Sequence, residues 1–138
     1  MSDLSISVEA PPSKATLDAI GQGLDAYNKQ FATTAYEEFA IALKSDDDTV
    51  RGGVYANAWA GMLFIRWFWI DEALRGQGHG RKLLCAAERE GWRRGCTAVY
   101  LDTFEFQARP FYEKHGYELF GTLEYPAGFK RFFLQKLL

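Results

Sequence analysis

Apolar and polar positions along the chain change period several times, and each change marks an element. Leu4, Ile6 and Val8 alternate with polar residues, which predicts a first strand ended by Pro11-Pro12. From Ser13 onward Leu17, Ile20, Leu24 and Tyr27 recur at helical spacing, with Ser13 as N-cap, although Gly21 and Gly23 weaken that helix. Tyr36 to Leu43 and Val50 to Ala60 read as a hairpin about the turn Ser45-Asp46-Asp47-Asp48, and Met62 to Ile70 as a third, aromatic-rich antiparallel strand.

The chain then changes character. Arg75-Gly76-Gln77-Gly78-His79-Gly80 leads into a helical period in which Gly80, Leu83, Leu84, Ala87 and Gly91 form one inward stripe, and Gly95 ends the helix. Arg81, Lys82, Glu88, Arg89 and Arg93 take up the remaining surface. Ala98 to Leu101 follows as a short apolar strand, so strand, glycine loop, helix and strand make a βαβ unit with a parallel pair. Arg109 to His115 suits a short helix with Pro110 in its first turn and Gly116 at C′. Tyr117 to Leu123 and Phe129 to Leu137 read as two last strands around the turn Tyr125-Pro126-Ala127-Gly128, with no linker or repeat anywhere.

Composition limits what such a chain does. Its 138 residues predict a single domain over 1–138, and 48% apolar with 16% aromatic residues exclude a disordered chain. Sixteen Lys and Arg against eighteen Asp and Glu leave a formal charge of −2, which makes nucleic acid a poor partner and any anion site a local one. Cys85 and Cys96 have neither metal-ligand nor disulfide-scaffold spacing and read as packing thiols. Ala56 to Ile70 is too short and too broken by Asn57, Gly61 and Arg66 to span a bilayer, and Met1 to Ala10 lacks the features of a signal peptide. The expectation is a soluble cytoplasmic protein. His79 and His115 are too isolated for a metal site or a serine-type triad, so no metal is expected.

The glycine loop carries the chemistry. Three alternating glycines before a helix N-terminus expose backbone N–H groups at the positive end of the helix dipole, the physical basis for cradling a phosphate or pyrophosphate. Arg75 and Arg81 add charge. No frame supplies a Walker A loop. A dinucleotide fingerprint would need glycine where Arg81 stands; Asp102 lies about twenty residues on, as that motif asks, but too little chain follows for the remaining βα units.

Two segments together resemble the GNAT (Gcn5-related N-acetyltransferase) superfamily. Arg75-x-x-Gly78-x-Gly80 after a strand looks like its acyl-CoA pyrophosphate loop. Phe106-Gln107-Ala108-x-x-Phe111-Tyr112-Glu113-Lys114-x-Gly116-Tyr117 is similar to its Ala-x-x-x-Tyr-Glu-Lys-x-Gly-Phe/Tyr segment, and the likeness runs from about Ile6 to the C-terminus. The resemblance implies an α/β fold: a mostly antiparallel mixed sheet with one splayed parallel strand pair and helices on both faces. It implies that Phe68, Trp69 and Ile70 pair with the pantetheine arm of acetyl-CoA, and that Arg75, Gly76, Gln77, Gly78, His79, Gly80 and Arg81 bind the pyrophosphate. Gln107 and Phe111 join them as cofactor-binding residues. Many members carry Asn three residues before the motif alanine, where this chain has Glu105.

The implied reaction is direct acetyl transfer from acetyl-CoA to a primary amine, which must be neutral to attack, although an alkylamine has a pKa of about 10.4. Tyr112 matches the family tyrosine that serves the leaving sulfur. Met62 to Ile70 contains no carboxylate, which leaves Asp71, Asp102 or a water relay to take the amine's proton. A main-chain N–H near Trp69 or Ile70 would meet the oxyanion. The favoured acceptor is a small-molecule amine, for which Glu37, Glu38, Arg66, Asp71 and Glu124 are candidate pocket residues, and the acidic balance is compatible with a cationic one. The alternatives are a protein lysine or N-terminus, and a catalytically silent acyl-CoA-binding module. A homodimer is implied by resemblance alone.

Overall fold

The computed structural model describes residues 3–138; Met1 and Ser2, which begin the stretch read above for a signal peptide, lie outside it. The chain divides into two compact units, Met1–Thr34 and Ala35–Leu138.

In the first unit, helix α1 spans Lys14–Asn28. Ser13 is its N-cap, with Oγ accepting from the Thr16 N–H at 3.1 Å, and the Glu9 carboxylate accepts from Ser13 N–H and Thr16 Oγ1. Gly21 and Gly23 sit in open space and do not break the helix. The predicted strand over Leu4, Ile6 and Val8 does not form, and these side chains are fully exposed. Alternation alone specifies which way side chains point; a strand also needs a neighbour for its backbone N–H and C=O groups.

The second unit is a six-stranded mixed sheet. Strands β1 (Glu37–Lys44), β2 (Val50–Trp59) and β3 (Met62–Ile70) form the predicted meander, with Ser45 to Asp48 in the first turn. Helix α2 (His79–Arg93) crosses to β4 (Ala98–Phe104), which pairs parallel to β3. Helix α3 (Arg109–Lys114), β5 (Glu118–Glu124) and β6 (Lys130–Leu137) complete the chain, in the order β1-β2-β3-β4-β6-β5. The last hairpin thus inserts β6 beside β4 and leaves β5 at the edge.

One face of the sheet carries the core. Ala56, Leu63, Ile65, Val99, Leu101 and Leu134 meet Leu83, Leu84 and Ala87 of α2 and Tyr112 of α3, and burial of each large aliphatic side chain contributes about 1.5–3 kcal/mol. The predicted stripe of α2 is therefore its packed face. Gly91 lets α2 approach closely: a Cβ there would lie 2.8 Å from Leu63 Cδ2. Glu88, on the same helix, accepts from the Tyr117 hydroxyl at 2.6 Å and the Lys136 ammonium at 3.1 Å, which ties α2 to the post-α3 turn and β6. No helix among the described residues is long and apolar enough to cross a membrane.

Candidate active site

The site begins where two parallel strands part. Pairing between β3 and β4 runs from Met62 and Ala98 to Ile65 and Leu101 and then stops. Beyond that point β3 stays paired with β2 through Ile70, and β4 with β6 through Phe104. The edges of Arg66–Ile70 and Asp102–Phe104 that face each other have no strand partner, and they border a cleft of 870 Å³.

A β-bulge sits at the parting point. Tyr55 and Ala56 of β2 stand opposite Trp67 and Ile65, so Arg66 is an extra residue in β3. The bulge shifts the alternation by one residue: Leu63 and Ile65 point into the core before it, Phe68 and Ile70 pack against the same core after it, and Trp67 and Trp69 are exposed. Ile70 thereby reaches the start of α2, where a Cβ on Gly80 would lie 3.4 Å from its Cδ1 and 3.2 Å from the Phe111 ring.

The loop leading to α2 is shaped by a 3₁₀ turn, Glu72–Leu74, that the sequence did not announce. Asp71 caps it, accepting from the Ala73 N–H at 3.1 Å and from Arg51 Nε at 2.7 Å; the Arg51 bond first, then the Ala73 bond, lowers its pKa. Arg75 Nε donates to the Ile70 carbonyl at 3.0 Å, and Gln77 Nε2 folds back onto the Ala73 carbonyl at 3.1 Å. Gly76 and Gly78 take left-handed φ of 75° and 86°, a conformation a Cβ opposes. Gly78 is the N-cap of α2 and brings no side-chain acceptor, nor is there an acid in the first turn, so the leading N–H groups of a fifteen-residue helix have no side-chain cap.

Tyr112 lies on the cleft wall, 6% exposed, edge-on to Phe68 and Phe111. Burial, and secondarily the Asp102 charge, pushes its pKa up to about 12, and no hydrogen bond contributes. Gln107 lines the cleft and spends its side-chain carbonyl on the Phe104 N–H at 2.7 Å. Asp102 also lines the cleft but is held by Arg131, with Nε at 3.1 Å and Nη2 at 2.9 Å.

Of the residues singled out by sequence, Phe68, Trp69, Ile70, Arg75, Gly80, Gln107, Phe111, Tyr112, Asp102 and Arg66 line this one cleft. Gly76, Gln77, Gly78, His79 and Arg81 make the adjoining loop and first helical turn and are not among its lining residues. Neither are Glu37, Glu38, Asp71 and Glu124, whose carboxylates engage Arg94, the Tyr55 hydroxyl, Arg51 and Lys130 respectively. Glu105 turns away as well, accepting from the Lys130 N–H at 3.3 Å. Sequence reasoning missed Arg131 and Phe104; the only signal for Arg131 is its place in the β6 alternation, opposite Phe104 of β4.

The site thus joins a strand pair that parts to an uncapped, glycine-led helix N-terminus, with a buried phenol on the wall. The protein is of the acyl-CoA-dependent transferase class. The comparisons agree: the Acetyltransferase (GNAT) family model matches residues 12–117. Acetyltransferase Atu2258 of Agrobacterium fabrum is 37% identical over 106 residues, 76% of this chain and 77% of that one. Blasticidin-S acetyltransferase of Streptomyces morookaense is 30% identical over 104 residues, 74% of this chain and 76% of its own. The crystal structure of an acetyltransferase from Bacillus cereus superposes with a TM-score of 0.86 at 31% identity, covering 98% of each chain. The chain belongs to the GNAT acetyltransferase family and is an acetyl-CoA-dependent acetyltransferase.

Proposed function

We propose that the protein transfers the acetyl group of acetyl-CoA to the primary amine of a small molecule, within a ternary complex, as one N-acetyltransferase domain over 1–138. The observation that carries this reading is the convergence of the unpaired β3 edge, the uncapped start of α2 and Tyr112 on a single cleft. Phe68 to Ile70 receive the pantetheine arm as an added strand, and the amides from Gly76 to Arg81 receive the pyrophosphate. A β3 amide near Trp69 or Ile70 stabilises the developing oxyanion without any side chain moving.

The amine nitrogen attacks the thioester carbonyl, the carbon–sulfur bond breaks, and the proton lost by nitrogen ends on the thiol. Burial pushes Tyr112 up to about 12, so the phenol keeps its proton through the neutral range and has one to donate. Tyr112 therefore acts by hydrogen-bonding the departing thiolate. Asp71 is paired with Arg51 and is not among the cleft's lining residues, and Asp102 is spent on Arg131, so water takes the proton from nitrogen and relays it to the thiolate.

A small-molecule acceptor is supported by the aromatic residues that line the cleft and by a relative named Blasticidin-S acetyltransferase. A homodimer belongs to the same proposal: β1 ends the strand order of the six-stranded sheet, an edge that a second copy could extend. So does a cytoplasmic location, supported by the two free cysteines. Thiol release from acetyl-CoA, measured with a panel of small primary amines and in parallel with a peptide library, tests the acceptor. Faster turnover of peptides overturns the small-molecule reading, and acetyl-CoA binding without turnover of any acceptor overturns the enzymatic one. Light scattering at micromolar concentration tests the dimer, and a monomer overturns that part.

A further inference from the structure

The charges inside the cleft have the opposite sign to those of the chain. Arg66, Arg75 and Arg131 line it against a single acid, Asp102. Arg75 belongs to the loop end, tied to the Ile70 carbonyl. Asp102 and Arg131 neutralise one another, and Arg131 also reaches the Tyr125 hydroxyl at 3.2 Å. Arg66 is different. Among the described residues no carboxylate lies within salt-bridge distance of it, and its guanidinium rests over the Tyr55 and Phe64 rings, 5.7 and 5.8 Å from their centroids.

Its place in the strand gives this cation a function. Arg66 is the extra residue of the β3 bulge, at the level where β3 and β4 part, and bulges re-aim one side chain away from the regular alternation. Two aromatic rings support the guanidinium and leave its N–H fork unused, and such a fork matches a carboxylate's two oxygens. An acceptor with only an ammonium group would meet net positive charge here. An acceptor that carries a carboxylate besides its amine would meet a fitted partner, with Phe64, Phe104 and Phe106 forming an apolar wall for its body.

We propose that the acceptor is a primary amine bearing a carboxylate, an amino-acid-like molecule, and that Arg66 is the specificity-determining residue that binds its carboxylate. The inference rests on the acetyltransferase reading of the cleft. Arg66 acts on binding, so its effect falls on KM more than on kcat.

The test is thiol release from acetyl-CoA with matched acceptors: L-phenylalanine, L-methionine, β-alanine, aminohexanoate and aminomethylbenzoate, each beside its carboxamide. The wild-type protein is expected to favour the carboxylate form of its better acceptors by about tenfold or more in kcat/KM. Arg66→Gln should reduce that ratio to below about threefold through KM, and Arg66→Lys should restore part of it. Equal turnover of the two forms, or an Arg66→Gln variant with the wild-type ratio, overturns the inference and leaves the acetyltransferase standing. No thiol release with any amine overturns both.

Discussion

Replacing Tyr112 by Phe removes one oxygen from the cleft wall and nothing else. The ring contacts with Phe68, Phe111 and Tyr117 are kept, and the hydroxyl has no hydrogen-bond partner in the protein to orphan. The fold should therefore be indifferent, with Tm moving by less than about 2 °C. Catalysis should not be. A hydrogen bond to a charged acceptor contributes about 1.5–3 kcal/mol, and because the thiolate exists only as the carbon–sulfur bond breaks, the loss falls on kcat. That converts to a fall of about 10–150-fold at saturating acetyl-CoA, with KM for acetyl-CoA changed by less than about twofold. Thiol release followed from pH 6 to 10 adds a second reading. With Tyr112 at about 12, activity should rise with pH as the amine deprotonates and show no descending limb from the phenol. A loss below about threefold, or one confined to KM, would refute the role assigned to the hydroxyl.

Other perturbations probe the frame around that residue. Gly91→Val drives a branched side chain into Leu63, fully buried on β3, and should lower stability by about 1–3 kcal/mol in denaturant unfolding. Glu88→Ala leaves the Tyr117 hydroxyl and Lys136 ammonium without their shared acceptor and should cost about 1–3 kcal/mol, whereas full stability would mean the network is idle. Gly78→Val, at φ 86°, should strain the loop and weaken acetyl-CoA binding at least tenfold by calorimetry, an estimate of roughly 1–2 kcal/mol. Glu90 is held down to about 2 by Arg93 and Arg94, so its contribution is present above the ordinary carboxylate pKa and lost as pH falls toward 2; Glu90→Gln should flatten the acid limb of Tm against pH.

How far the sequence anticipates this depends on whether a feature is local. The stripe of α2, the Ser13 cap and the strand, loop, helix and strand unit rest on spacing within one segment, and the structure has them in place. The strand expected at Leu4, Ile6 and Val8 fails because pairing is set by a partner elsewhere in the chain. The bulge at Arg66 is invisible for the same reason: an extra residue exists only relative to the opposite strand. Asp102 stood out by sequence as a candidate base, yet its chemistry is decided by Arg131, which reaches it only once β6 has inserted beside β4. The chain's formal charge of −2 likewise gives no warning that the cleft is cationic.

The central claim is that acetyl-CoA occupies the opening between β3 and β4 and rests on the start of α2. Titrating acetyl-CoA into isotope-labelled protein and following backbone amide resonances tests it most directly. The account predicts saturable shifts at Trp69, Ile70 and the amides from Gly76 to Arg81, with the β5 amides of Glu118–Glu124 unmoved. Shifts confined to the β1–β2 hairpin, or no shifts at millimolar acetyl-CoA, would contradict it.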